Sequence, residues 1–363
     1  MNSFRHTRRA FLTTLGTATV GMLAGSARPA QAAPKMKIKL GMDNFAVRAM
    51  GWKAPQLIDY AASLRLDSIL ISDLDAYDSL ADDHLRTVKK KADDAGVAIY
   101  AGGWSICPTS KRFKPAWGTA EEHLRTGLRV AQTLGSPVFR VILGAAEDRK
   151  TEGGIRARIA DTVAVLKACR TAAIDAGVKV AVENHAGDMH SWELVDLIEA
   201  AGPDFVGANI DSGNACWTLE DPMDVLERLG KYVICSSLRD DMVWATPEGA
   251  TVQWTAAGEG LIDWKKWAVR WMKLCPQVPI MIETISGFAR PFPYQNEAFW
   301  EHYDRRPAAL ADFEAMAKRG HPLEAFKAPE GADKKAAEQA YQKAELERSI
   351  KFLREVVGLG VRA

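Results

Sequence analysis

The chain has 363 residues, 47% hydrophobic and 26% charged, with a formal net charge of +1. That balance excludes a disordered chain, a collagen-like polymer and a strongly basic nucleic-acid binder. Cys107, Cys169, Cys216, Cys235 and Cys275 are odd in number and lack CxxC spacing, so neither a disulfide framework nor a thiolate zinc cluster is supported.

The first segment reads as an export signal. Thr7-Arg8-Arg9-Ala10-Phe11-Leu12 is a twin-arginine pattern, an apolar run of small residues follows to about Ala24, and Ala30-Gln31-Ala32 offers a cleavage site. The run is too short and too weakly apolar for a permanent membrane span. Removing residues 1–32 deletes four arginines and no acids, which takes the formal charge from +1 to −3. A mildly acidic protein, periplasmic or secreted, is the expectation. Resemblance to such signals also implies export of an already folded chain, which suits a protein that acquires a metal first.

From Lys37 onward short apolar runs alternate with amphipathic ones. Strands are predicted at Lys37–Met42, Ser68–Ser72, Val97–Gly102, Val138–Leu143, Val178–Glu183, Phe205–Ile210, Val233–Leu238 and Pro279–Glu283. Each is rich in Val, Ile, Leu or Ala, as strands buried on both faces are. Helical patterns lie between them: Gln56–Leu64, then Asp82–Ala95, Glu121–Leu134 and Ile155–Ala176, the last three ending at Gly96, Gly135 and Gly177. A glycine just before a strand suits a left-handed helix cap. Eight strand–helix units within roughly 250 residues predict an α/β fold, a closed (β/α)8 TIM barrel. An open doubly wound sheet would want a glycine-rich phosphate turn after the first strand, and Gly41-Met42-Asp43-Asn44 is not one. Residues 33–363 are therefore read as one barrel domain. Within it, residues 287–329, rich in proline and aromatics, form an extended loop after strand eight, either a lid or a contact in a homo-oligomer. Asp333–Val357 supplies the eighth helix.

Catalytic groups of such barrels stand at the C-terminal strand ends. Strand five ends Ala181-Val182-Glu183-Asn184-His185, strand six Asn209-Ile210-Asp211-Ser212-Gly213-Asn214, and strand eight Met281-Ile282-Glu283-Thr284, while strand seven leads into Ser237-Leu238-Arg239-Asp240. By alternation Glu183 shares a face with His185, and Asp211 with Asn209. Three converging carboxylates cannot all stay ionised without a compensating cation. A divalent metal resolves the conflict; oxygen-rich sites suit Mg²⁺ or Mn²⁺, with Zn²⁺ or Co²⁺ open if an imidazole joins.

The order E-N-H, D-x-G-N, S-L-R-D, G-E-G-x-I-D-W at Gly258–Trp264, and I-E-T resembles the xylose-isomerase-like barrels, often described as sugar phosphate isomerases/epimerases. The resemblance spans Lys37 to about Ile285 and the last helix. It implies metal ligands Glu183, Asp211 and Glu283, and proton transfer by Glu183 and Glu283 beside a sugar carbonyl through an enediolate. Where the family has H-x-K-D, this chain has Ser237-Leu238-Arg239-Asp240, so the expected imidazole ligand is a serine. His185 then becomes the replacement ligand, Asp240 or water fills the position, or the metal is bound weakly or not at all. His185, Asn214, Arg239, Arg140 and Trp104 are the candidate substrate contacts.

The expectation is a metal-dependent sugar isomerase or epimerase. An exported lyase or hydrolase-type enzyme acting on keto-glycosides or polyols is the first alternative, and a metal-free carbohydrate-binding protein the second. A nuclease of this barrel type would need several histidine ligands; the chain has seven His in all, and none ends strands six to eight. The near-neutral charge also gives phosphate backbones little to hold.

Overall fold

The computed structural model describes residues 36–285, 287 and 289–362; the twin-arginine segment lies outside them. In chain order the strands are β1 (Leu40–Asp43), β2 (Ser68–Ile71), β3 (Ala98–Ser105), β4 (Val138–Ile142), β5 (Lys179–Glu183), β6 (Val206–Ile210), β7 (Val233–Ser236), β8 (Asp240–Thr246), β9 (Gly249–Thr255), β10 (Ile280–Ile282) and β11 (Ala289–Phe292). Eight of them pair in parallel in the order β10-β1-β2-β3-β4-β5-β6-β7. Leu238 bridges to Ile282 and closes the ring between β7 and β10. This is the (β/α)8 barrel.

The local reasons match the sequence pattern. Strands of three to five residues buried on both faces, such as Ser68-Ile69-Leu70-Ile71, are satisfied in a parallel sheet covered by helices. Gly96, Gly135 and Gly177 end their helices at φ 65°, 71° and 64°, left-handed values that glycine adopts without a Cβ penalty. The long helical pattern at Ile155–Ala176 divides into Gly154–Ala168 and Arg170–Ala176, with Cys169 at φ −103° and ψ 2° between them. Inward side chains alternate along each strand. Leu70, Val138, Ala181, Cys235 and Met281 form the inner apolar cluster. Two residues further along their strands stand Arg140, Glu183, Ser237 and Glu283, all buried. The barrel axis thus changes from apolar to ionic within one layer.

Gly127 shows how tightly the outer helices press on this ring. A Cβ there would lie 2.1 Å from carbons of the buried Phe139 ring. Alanine normally gains about 0.5–1 kcal/mol over glycine inside a helix, but overpacking of this kind costs about 1–3 kcal/mol. Gly127→Ala is therefore expected to lower the urea midpoint, and a raised midpoint would contradict the packing.

One departure from the sequence reading follows β7. Residues 240–255 form an antiparallel hairpin, β8–β9, to which β11 adds as a third strand. Trp217, Trp254, Phe292, Tyr294, Trp300 and Phe313 make a second apolar cluster there. The aromatic segment after strand eight is thus packed on the hairpin, beside the C-terminal mouth of the barrel. Among the described residues no helix is long and apolar enough to cross a membrane.

Candidate active site

Glu183, Asp211 and Glu283 end β5, follow β6 and follow β10, and each offers a carboxylate oxygen within 4.8 Å of the others. All three are buried. Asp211 is divided in its duties. Its Oδ1 accepts from the backbone N–H of Gly213 and Asn214, capping the short helix Ser212–Cys216. Its Oδ2 turns to the barrel axis, where Asn214 Nδ2 donates at 2.7 Å. Asn184 braces the same turn from β5: Nδ2 donates to the Asp211 carbonyl and Oδ1 accepts from the Asp211 N–H, both at 2.8 Å.

Two arginines meet the carboxylates. Arg140 on β4 places Nε and Nη2 each 2.6 Å from Glu183 Oε2, and donates through Nη1 to the Gly103 carbonyl at 3.1 Å. Arg239 bridges Asp211 Oδ2, at 2.5 Å, and Glu283 Oε2 through a single nitrogen, Nη2. Its guanidinium lies 4.3 Å over the Trp254 ring, Trp254 stacks on Trp217 at 4.3 Å, and Arg290 of β11 covers the far face of that pair at 4.3 Å. The hairpin and β11 therefore hold Arg239 from behind.

Asp43, at the end of β1, is a fourth buried carboxylate. It accepts from Ser72 Oγ at 2.8 Å and from Ser237 Oγ at 3.2 Å. If all ionised, these four buried carboxylates would outnumber the two guanidinium groups by two negative charges. Burial pushes all four upward: Glu183 to about 7 against the pull of Arg140, and Asp43, Asp211 and Glu283 in the same direction. An all-oxygen donor set with that deficit fits a hard divalent cation, held by Glu183, Asp211 and Glu283.

His185 and Asp240, the replacement ligands considered from the sequence, do not join this group of three. Asp240 turns away from the axis: its carboxylate accepts from the N–H of Gly258 and Ile262 and from Trp264 Nε1 at 2.7 Å, because the G-E-G-x-I-D-W segment folds around it. His185 also stays outside the ligand group. Its Nδ1 bonds the Gly144 carbonyl at 2.6 Å, and a carbonyl can only accept, so the proton sits on Nδ1 and Nε2 remains an acceptor. Burial, aided by Arg140, lowers His185 to about 3 and keeps it neutral. Ser237 does take the inward position of the missing imidazole, but it faces Asp43 and Asn209 Nδ2, the latter at 3.2 Å.

His185, Trp104, Asn214, Arg140 and Arg239 do come together, with Phe45, Trp254, Glu283 and Ile285, around a cavity of about 80 Å³. Trp104 packs edge-on against His185 at 5.9 Å and over Phe45 at 6.4 Å. Sequence reasoning missed Asn209, whose Nδ2 donates to Glu183 Oε2 at 2.6 Å, although alternation from Asp211 had already turned it inward. It missed Asp43, whose strand carries no other acid, and Trp254, which depends on the unrecognised hairpin.

Solved structures with this fold include a D-psicose 3-epimerase crystallised in the presence of D-fructose, with a TM-score of 0.58 and 16% identity over 88% of this chain and 100% of that one. A zinc-bound IOLI protein aligns at 0.54 and 16%, covering 76% and 98%. The 3-keto-D-glucoside 4-epimerase YcjR from E. coli aligns at 0.53 and 12%, covering 77% and 98%. No curated protein matches the sequence. A family model described as a xylose isomerase-like TIM barrel matches residues 46–286, more than half of the chain, and the protein belongs to that family.

Proposed function

We propose that this protein is an exported, metal-dependent sugar isomerase or epimerase that moves a proton on the carbon beside a carbonyl. The observation that carries the reading is the meeting of Glu183, Asp211 and Glu283 within 4.8 Å at a buried barrel mouth. The similar folds titled as a sugar 3-epimerase and a ketoglucoside epimerase support it. Export rests on the twin-arginine segment.

Taking a proton from such a carbon places negative charge on the neighbouring oxygen. A divalent ion bound to the three carboxylates supplies Lewis-acid polarisation of the carbonyl and stabilises that charge. Glu183 and Glu283 stand on staves separated by β6 and β7, so they approach a central substrate from different sides. One removes the proton and the other returns it, which is what inversion at carbon requires. A carboxyl raised to about 7, as burial sets Glu183, exchanges protons readily near neutral pH. Arg140 and Asn209 hold Glu183 in place. His185 Nε2 accepts a sugar hydroxyl, Asn214 orients Asp211 and Glu183, and the Trp104 ring offers an apolar face, its Nε1 without a hydrogen-bond partner among the described residues.

The test is product analysis with ketohexoses and 3-keto-glycosides, using Mn²⁺-loaded and chelated protein. An isomer of unchanged mass, lost on chelation, is expected. Release of an aglycone would replace the epimerase by a lyase, and activity indifferent to chelator would contradict metal dependence.

A further inference from the structure

We propose that Arg239 is a built-in cation that competes with a divalent ion for the carboxylates of the site. The inference rests on the metal-site reading above and adds a resident occupant to it. Two observations support it. Arg239 Nη2 bonds Asp211 Oδ2 and Glu283 Oε2, two of the three carboxylates that an ion would need. Ser237, at the imidazole position, bonds Asp43 and Asn209, so that position supplies no imidazole to favour the ion over the guanidinium.

The surroundings are built for this arginine. Trp254 covers one face. Gly213 makes room for the stem: a Cβ there would lie 2.3 Å from Arg239 Cγ. Nε and Nη1 are buried and have no hydrogen-bond partner among the described residues. Arg239 is thus fastened to polar groups through Nη2 and its backbone, so the side-chain hydrogen bonds at stake in its displacement are those of Nη2 to the carboxylates. Arg239 lines the cavity of about 80 Å³ at the mouth. Displacement of the guanidinium would clear space where the substrate must sit.

The experiment is calorimetric titration of the full processed chain with Mn²⁺, with free Mn²⁺ counted by electron paramagnetic resonance. Wild type, Arg239→Gln, Arg239→Lys and Gly213→Ala are compared, their folding checked by circular dichroism. Arg239→Gln is expected to bind Mn²⁺ at least about tenfold more tightly, and Arg239→Lys to stay near wild type. Gly213→Ala keeps every charge but crowds the arginine stem, and is expected to tighten binding several-fold. It also serves if Arg239→Gln does not fold. Equal, measurable affinity in all four proteins overturns the competition and leaves the metal site standing. Tightening in Arg239→Gln without any in Gly213→Ala assigns the effect to net charge and overturns it too. No binding by any of them removes the metal site and the competition together.

Discussion

Glu283→Gln is expected to slow proton exchange on a bound keto sugar by about 10²–10⁴-fold, the usual worth of a positioned general base, while leaving the protein folded. The stability side follows from linkage. Burial raises Glu283 well above the ordinary carboxylate range, and Asp43, Glu183 and Asp211 push it further in that direction although Arg239 opposes. A carboxyl raised in the folded state binds more protons there than in the unfolded chain, so stability falls as pH rises through the interval. For Glu183 that interval runs from 4.5 to about 7. The metal-free protein should therefore lose stability between those pH values, with Mn²⁺ flattening the slope. Glu283→Gln removes one of the crowded charges and should make the slope shallower. Single-turnover exchange together with urea titration from pH 4.5 to 7 separates the two effects; a large stability loss in this variant would mark Glu283 as structural.

Arg140→Met carries the largest expected effect on stability. Its guanidinium is 3% exposed and Glu183 is fully buried, so truncation leaves a carboxylate with only amide donors. Breaking a buried pair in this way costs about 3–5 kcal/mol. The exposed pair Arg86–Asp83, with side chains 61% and 95% accessible, belongs to the class worth about 0–1 kcal/mol and is the natural control. Adding Glu183→Gln to Arg140→Met should recover most of the loss, because the stranded charge is then gone. If Arg140→Met costs no more than the surface control, Glu183 is not held by Arg140 as described.

The strands, the helix-ending glycines and the three carboxylates were legible because each leaves a local signature: a short apolar run, a residue free of Cβ strain, an acid after a buried strand. Their spacing fixed the barrel, and the barrel fixed where the acids meet. The hairpin was harder to read because its strands carry a mixture of Asp, Thr, Gln and Trp without a clean apolar alternation, although Thr246-Pro247-Glu248-Gly249 is a turn signal between them. Without the hairpin Trp254 has no place, and Arg239 is only a charge near the mouth. Asp240 illustrates the opposite case. Its position in the motif suggested a ligand, but two backbone donors from the loop after β9 and Trp264 at the start of the next helix capture it, a long-range contact that no local spacing records. His185 lines the mouth, and its tautomer is set by the Gly144 carbonyl from the neighbouring stave. What the sequence conceals here is which buried polar group satisfies which.

Proton nuclear magnetic resonance of ketohexoses and 3-keto-glycosides in D₂O, with Mn²⁺-loaded protein, probes the chemistry ahead of any product. The converging glutamates predict deuterium entering at the carbon beside the carbonyl, abolished in Glu283→Gln. Turnover of any of these sugars with that carbon retaining its protium, or labelling that persists in Glu283→Gln at the wild-type rate, would contradict proton transfer by these carboxylates.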